Sequence, residues 1–125
     1  MKWLFKTVRA LMSPVSSFIG QVSSSNGVTR SDEEQRSVDE QTRALALYQF
    51  RACLFCFRVR RAIKRLSLNI ETRDIQHDPS AYRELLQGGG DAQVPCLRIV
   101  GDDGKATWMY ESADIIAYLY ERFAP

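Results

Sequence analysis

The chain has 125 residues, enough for one ordinary domain or a small domain with an appendage, and no more. Hydrophobic residues make up 45% and charged residues 26%, with only seven Gly and four Pro, which excludes a low-complexity chain. No apolar run approaches the roughly eighteen residues of a spanning helix, and three cysteines are too few for a disulfide-stapled scaffold. The net charge of +2 is uneven: residues 1–30 hold Lys2, Lys6, Arg9 and Arg30 and no acid, residues 31–43 hold five acids against two bases, and Arg58–Arg65 is a purely basic stretch.

Taken in chain order, the opening MKWLFKTVRALMS sets Trp3, Leu4, Val8, Leu11 and Met12 at helical spacing, with Lys2, Lys6 and Arg9 on other faces. No apolar run there exceeds three residues, so a signal peptide fits poorly. A basic amphipathic segment suits an anionic membrane surface or a partner; a helix packed on its own domain or a frayed end are the plainer alternatives. The Ser-rich stretch up to residue 30 reads as a linker. Ser31 and Glu34 have capping-box spacing, which predicts a polar helical neck over 31–43.

The remaining residues, 44–125, read as the folded domain. Ala44–Phe50 is an apolar strand that runs into Cys53-Leu54-Phe55-Cys56 and a helix over Leu54–Ser67, with Val59, Ile63 and Leu66 as its apolar stripe. Leu68–Ile75 alternates as a half-buried strand. Asp78-Pro79-Ser80 starts a helix that buries Tyr82, Leu85 and Leu86, and Gly88-Gly89-Gly90 stops it. Val94–Val100 and Ala106–Tyr110 form a hairpin around Gly101–Gly104, and Ser112 caps a last helix buried through Ile115, Ile116, Leu119 and Phe123. The order predicts an α/β fold: a mixed four-stranded sheet with three flanking helices, plus an N-terminal helical extension.

Three features carry chemistry. Cys53 stands where a strand hands over to a helix, so the free N–H groups and the positive dipole end favour its thiolate, the reactive form. Arg51 and Arg58 add positive charge, and Cys56 lies one turn on, within reach of a mixed disulfide at Cys53. The alternatives are two inert buried cysteines, or a zinc site built from Cys53, Cys56, Cys96 and His77. Second, Val94-Pro95 opens a strand; a cis bond would turn the Val94 backbone outward to pair with an extended peptide, whereas a trans bond would be an ordinary edge proline. Cys96, next in line, points inward. Third, Glu111-Ser112 precedes the last helix, where N–H groups suit a carboxylate and the Glu111 side chain an ammonium group; read alone, Ser112 is a cap and nothing more.

Taken together, Cys53-Leu54-Phe55-Cys56, Val94-Pro95 and Glu111-Ser112 resemble glutaredoxins. Gln93–Leu97 with the run Tyr110–Leu119 resembles still more the N-terminal thioredoxin-fold domain of glutathione S-transferases. The resemblance covers residues 44–125 and implies a thioredoxin-like fold and glutathione as ligand. Cys53 would be glutathionylated and Cys56 would resolve it. Val94 beside cis Pro95 would pair with the glutathione backbone, Glu111 and Ser112 would hold the γ-glutamyl head, and Phe55 and Gln93 would line the groove. Arg51 or Arg58 would meet the glycyl carboxylate, because Phe50 stands where glutaredoxins carry a lysine.

Leu54 replaces the usual proline after the first cysteine; family members lacking that proline include carriers of a [2Fe–2S] cluster, so the resemblance admits a cluster on Cys53 and otherwise implies no metal. The expected activity is glutathione-dependent reduction of protein disulfides or glutathionylated thiols. The alternatives are a cluster-delivery module and a membrane-peripheral glutathione-binding adaptor. The basic face Arg58, Arg61, Arg65 carries no groove-reading motif, so nucleic acid is not expected. A monomer is expected rather than a dimer. Free cysteines point to a reducing compartment, hence the cytoplasm, with residues 1–30 at the inner face of a membrane.

Overall fold

The structure is a computed structural model and describes residues 27–125. The amphipathic head and nearly all of the Ser-rich linker lie outside the described residues. The first helix, α1 (Asp32–Thr42), opens on the expected capping box: Ser31 Oγ accepts the Glu34 N–H at 3.1 Å, and Glu34 Oε1 accepts the Ser31 N–H at 3.3 Å. It is a docked element as well as a polar one. Thr42 is buried, Val38 packs on the core, Gln35 donates to the Ser67 carbonyl at 3.0 Å, and Arg30 donates to the Phe123 carbonyl at 2.8 Å.

Strand β1 (Leu45–Gln49) is buried along its whole length because it is central, in the sheet order β2-β1-β3-β4. Helix α2 (Leu54–Arg65) turns Cys56, Val59 and Ala62 inward. Strand β2 (Glu71–Asp74) pairs parallel to β1 from Ala46↔Glu71 to Gln49↔Asp74. It is shorter than expected: Leu68 and Ile70 pack into the core ahead of the ladder, so the apolar alternation of Leu68–Ile75 overstates the strand.

Helix α3 (Pro79–Gly89) starts as predicted, with Asp78 accepting the N–H groups of Ser80 and Ala81 and Pro79 at the first helical position. Its buried face differs from the expectation. Ala81 and Leu85 are buried, whereas Tyr82 and Leu86 are each 43% exposed. The glycines explain the rotation. The helix runs on through Gly88 and Gly89 and ends at Gly90, whose φ of 88° is the left-handed conformation glycine tolerates. A Cβ on Gly88 would lie 2.3 Å from the Trp108 ring, and one on Gly89 would lie 2.0 Å from the Tyr110 hydroxyl. Positions 81, 85, 88 and 89 thus form one helical stripe that seats two rings, and its neighbours 82 and 86 turn outward.

Strands β3 (Cys96–Val100) and β4 (Ala106–Tyr110) form the antiparallel hairpin, with β3 antiparallel to β1. Helix α4 (Ser112–Phe123) buries Ile115, Leu119 and Phe123, with Ile116 partly covered. One sheet face carries Leu45, Leu47 and Leu97 under α2 and α4; the other carries Ala46, Tyr48 and Cys96 against Ala81 and Leu85 of α3. On that second face the Tyr48 hydroxyl donates to Glu84 Oε1 at 2.8 Å and accepts from Arg98 at 3.0 Å, and Tyr48 meets Trp108 at 5.2 Å between ring centroids. This mixed four-stranded sheet with helices on both faces is the thioredoxin-like fold that the sequence predicts.

Candidate functional site

The strand register decides which loops meet. Tyr48 of β1 faces Cys96 of β3, and Cys96 faces Tyr110 of β4. The loop that leaves β1 toward Cys53, the Val94-Pro95 step that enters β3, and the Glu111-Ser112 step that leaves β4 therefore share one end of the sheet. Three features far apart in sequence become neighbours.

At this end Cys53 is the N-cap of α2, with extended backbone (φ −84°, ψ 122°). Its half-buried sulfur accepts the Cys56 N–H at 3.3 Å, and its carbonyl accepts the Phe57 N–H at 3.0 Å. The sulfur thus occupies the capping position at the positive end of the α2 dipole. Cys56 is buried, and that burial, reinforced by its contact with Cys53, pushes its thiol up to about 12, while the Phe50 backbone and then Arg60 pull the other way. Cys96 is buried beneath Tyr110 and is likewise pushed up to about 12, by burial.

The Val94–Pro95 bond is cis, as expected. Pro95 is buried, Val94 is half-buried, Gln93 is exposed, and Val94 enters no backbone hydrogen bond with the described residues. Glu111 is exposed and holds φ 75°, ψ 114°, an uncommon conformation for a residue with a side chain. It also corrects one expectation. Glu111 is the N-cap of α4 and makes no side-chain cap bond, while Ser112 is the first helical residue and no cap.

The cations fall differently from the expectation. Arg58 lies over the half-exposed Phe55 ring at 5.4 Å and lines a groove of about 260 Å³ between α2 and α4 with Arg61, Arg65, Ile116 and Tyr120. Arg51 lines a cleft of about 490 Å³ with Gln49, Arg60, Thr72 and Asp74, by the edge strand. The two arginines thus line separate hollows. The cation set beside the cysteine pair is Arg60, which the sequence reading missed; its signal was the spacing of four residues after Cys56, one turn along the same helix face. His77 is exposed and bonded to Asp74 at 3.0 Å, and no group of three or more His, Cys, Asp or Glu among the described residues is placed to hold a metal ion, so the four-residue zinc set does not assemble.

The family model for the glutathione S-transferase N-terminal domain matches residues 47–125. No curated protein matches the chain in sequence. Among solved structures it is similar to a glutathione S-transferase isozyme from Drosophila melanogaster, at 26% identity over 64% of this chain and 35% of that one, with a TM-score of 0.50. It is also similar to glutathione transferase Omega 2C from Trametes versicolor, at 20% identity over 63% of this chain and 37% of that one, with a TM-score of 0.52. A third is maleylacetoacetate isomerase from Anaeromyxobacter dehalogenans with GSH in the active site, at 29% identity over 64% and 38% of the two chains, with a TM-score of 0.47. The chain spans little more than a third of the length of these proteins. With its fold, its convergent sheet end and a family match over residues 47–125, the chain belongs to the family of glutathione S-transferase N-terminal domains.

Proposed function

We propose that this domain is a glutathione-dependent thiol–disulfide oxidoreductase acting on protein disulfides or glutathionylated protein thiols. One observation carries the reading: a half-buried sulfur caps α2 in front of a fully buried second thiol, at the sheet end that also holds Val94–Pro95 and Glu111. Cys53 thiolate attacks the glutathione sulfur of a mixed disulfide. The bond to the protein thiol breaks, that thiolate leaves with the electron pair and takes a proton, and glutathione stays on Cys53. A second glutathione thiolate then attacks the bound glutathione sulfur, releasing oxidised glutathione and Cys53.

In this reading the Val94 backbone pairs with the cysteinyl backbone of glutathione, as an added strand does. The free N–H groups at the start of α4, with Ser112 among them, take the γ-glutamyl carboxylate, and Glu111 takes its ammonium. Gln93 and Phe55 border the groove. Arg51 meets the glycyl carboxylate, while Arg58, engaged with Phe55 beside α4, serves steering. A cluster on Cys53 has only the Leu54 that follows the cysteine in its favour, so the thiol reading takes precedence. The domain works as a cytoplasmic monomer, and residues 1–30 supply a contact with the inner face of a membrane; flotation of the full chain with anionic liposomes, and its loss in a chain starting at Ser31, tests that part.

The decisive assay follows glutathione-driven reduction of a glutathionylated peptide by wild type, Cys53→Ser and Cys56→Ser. Wild type turns over and Cys53→Ser does not; Cys56→Ser retains the route through a second glutathione. Wild-type activity no higher than that of Cys53→Ser would sink the reading.

A further inference from the structure

Among the described residues only Thr42 and Gln49 are both polar and buried, and Gln49 is the last residue of the otherwise apolar β1. A buried amide needs a partner. Its Oε1 accepts from Arg60 Nη1, and Arg60 Nη2 donates to the Arg51 carbonyl at 3.3 Å. One guanidinium therefore ties the end of β1, the loop that delivers Cys53, and the turn of α2 that follows Cys56. No carboxylate pairs with Arg60 among the described residues: Asp74, across the same cleft, is bonded to His77 and to the Gln76 N–H. The groups that face Cys56 are Cys53 from its own turn, the Phe50 backbone from the loop after β1, and Arg60 from the next turn, with Arg51 and Asp74 lining the cleft beside Arg60.

We propose that Arg60 is a positioning residue for the second thiol: clamped between Gln49 and the Arg51 carbonyl, it fixes the Cys53 loop and holds a permanent cation on the Cys56 side of the turn. The inference rests on the reading of Cys53 and Cys56 given above. Resolution by Cys56 requires its proton to leave for solvent. The Cys56 thiolate then attacks Cys53 Sγ, the bond from Cys53 to its disulfide partner breaks, the partner leaves as a thiolate with the electron pair, and a Cys53–Cys56 disulfide forms. Burial opposes the first of these events, and the Phe50 backbone and the clamped guanidinium assist it. Holding the two sulfurs in register assists the second.

The test uses a chromogenic aromatic disulfide, independent of glutathione. Cys53 attack releases one coloured thiolate, and Cys56 resolution releases a second. In Arg60→Ala the second release slows on the order of a hundredfold, the loss expected when a reacting group is misplaced by about 1 Å, and its pH profile moves upward. Arg60→Lys restores the position of that profile, because the charge is kept, and not the full rate, because the two-pronged tie is lost. A second release with unchanged rate and unchanged pH profile in Arg60→Ala would overturn the proposal. Should Arg60→Ala lose its helical circular dichroism, Gln49→Leu decides: it leaves the guanidinium but removes its anchor, so the second release must slow, and an unchanged release would overturn the proposal. Wild type that performs both releases yet ignores glutathione sinks the glutathione reading and leaves the role of Arg60 standing.

Discussion

Two of the four described helices begin on oxygen caps, a third on a thiol, and the fourth on no side-chain cap at all. At α1 the Ser31–Glu34 box closes the first turn from both sides, and at α3 the Asp78 carboxylate accepts two backbone N–H groups beside a Pro that has none to offer. At α2 the cap is a cysteine sulfur with one bond of 3.3 Å, and at α4 the cap residue, Glu111, makes no side-chain bond and holds φ 75°. The thiol-capped start and the open start share one end of the sheet with the cis Val94–Pro95 step. A helix start left open by its own sequence forgoes roughly 1 kcal/mol of capping, and a strained backbone costs more. Both occur at the end of the sheet that the proposed function assigns to glutathione. The same division runs through the cysteines: Cys53 is half-buried at the open end, and Cys56 and Cys96 are sealed.

The sealed thiols give the largest expected effect. Each is pushed from 9.0 to about 12 by burial, so the unfolded chain ionises first as pH rises. Their contribution to stability is complete below pH 9 and is lost as pH climbs toward about 12. Urea midpoints measured from pH 7 to pH 11 should fall steeply above pH 9; a flat profile would break the contrast between Cys53 and the other two.

Next comes a paired test of the helix starts. Glu111→Ala should raise the KM for glutathione about tenfold, the loss of one charge-assisted contact, and leave thermal stability unchanged. Asp78→Ala should lower stability, because its carboxylate closes α3, and leave that KM unchanged. The reverse pattern would mean that the open and closed starts had been misassigned. Glu111→Gly sharpens this further: it should raise stability by about 1 kcal/mol by relieving the positive φ while still losing glutathione. The smallest effect is that of Ser31→Ala, which removes half of a capping box on a peripheral helix. It should cost roughly 0.5–1 kcal/mol in chemical denaturation with thiol chemistry untouched.

Much of this was legible in the chain. The Ser31–Glu34 spacing, Asp78-Pro79, the Gly101–Gly104 turn and the helical stripe Ile115–Leu119–Phe123 are local signals, and each lies where the structure has it. The cysteine pair, Val94-Pro95 and Glu111-Ser112 could be singled out because each is unusual where it stands. What escaped depended on contacts between elements. Gly88 and Gly89 read as a helix stop because intrinsic propensity takes no account of the Trp108 and Tyr110 rings that leave no room for a Cβ there. Tyr82 and Leu86 read as core from their apolar helical spacing, whereas the same rings claim the neighbouring stripe of α3 and leave both exposed. By sequence distance alone, Arg51 and Arg58 are the charges nearest the cysteine pair. Only the packing of α2 on β1 shows that Arg60 reaches Gln49 and the Arg51 carbonyl, and that Arg58 turns to the groove beside α4.

The central claim is that the open end holds glutathione against Cys53. The most direct measurement is peptide mass spectrometry of the full chain after equilibration with oxidised glutathione at neutral pH. The account predicts one glutathione, on Cys53, with Cys56 and Cys96 unmodified, and no adduct in Cys53→Ser. No adduct on Cys53, or an adduct distributed equally over the three cysteines, would contradict it.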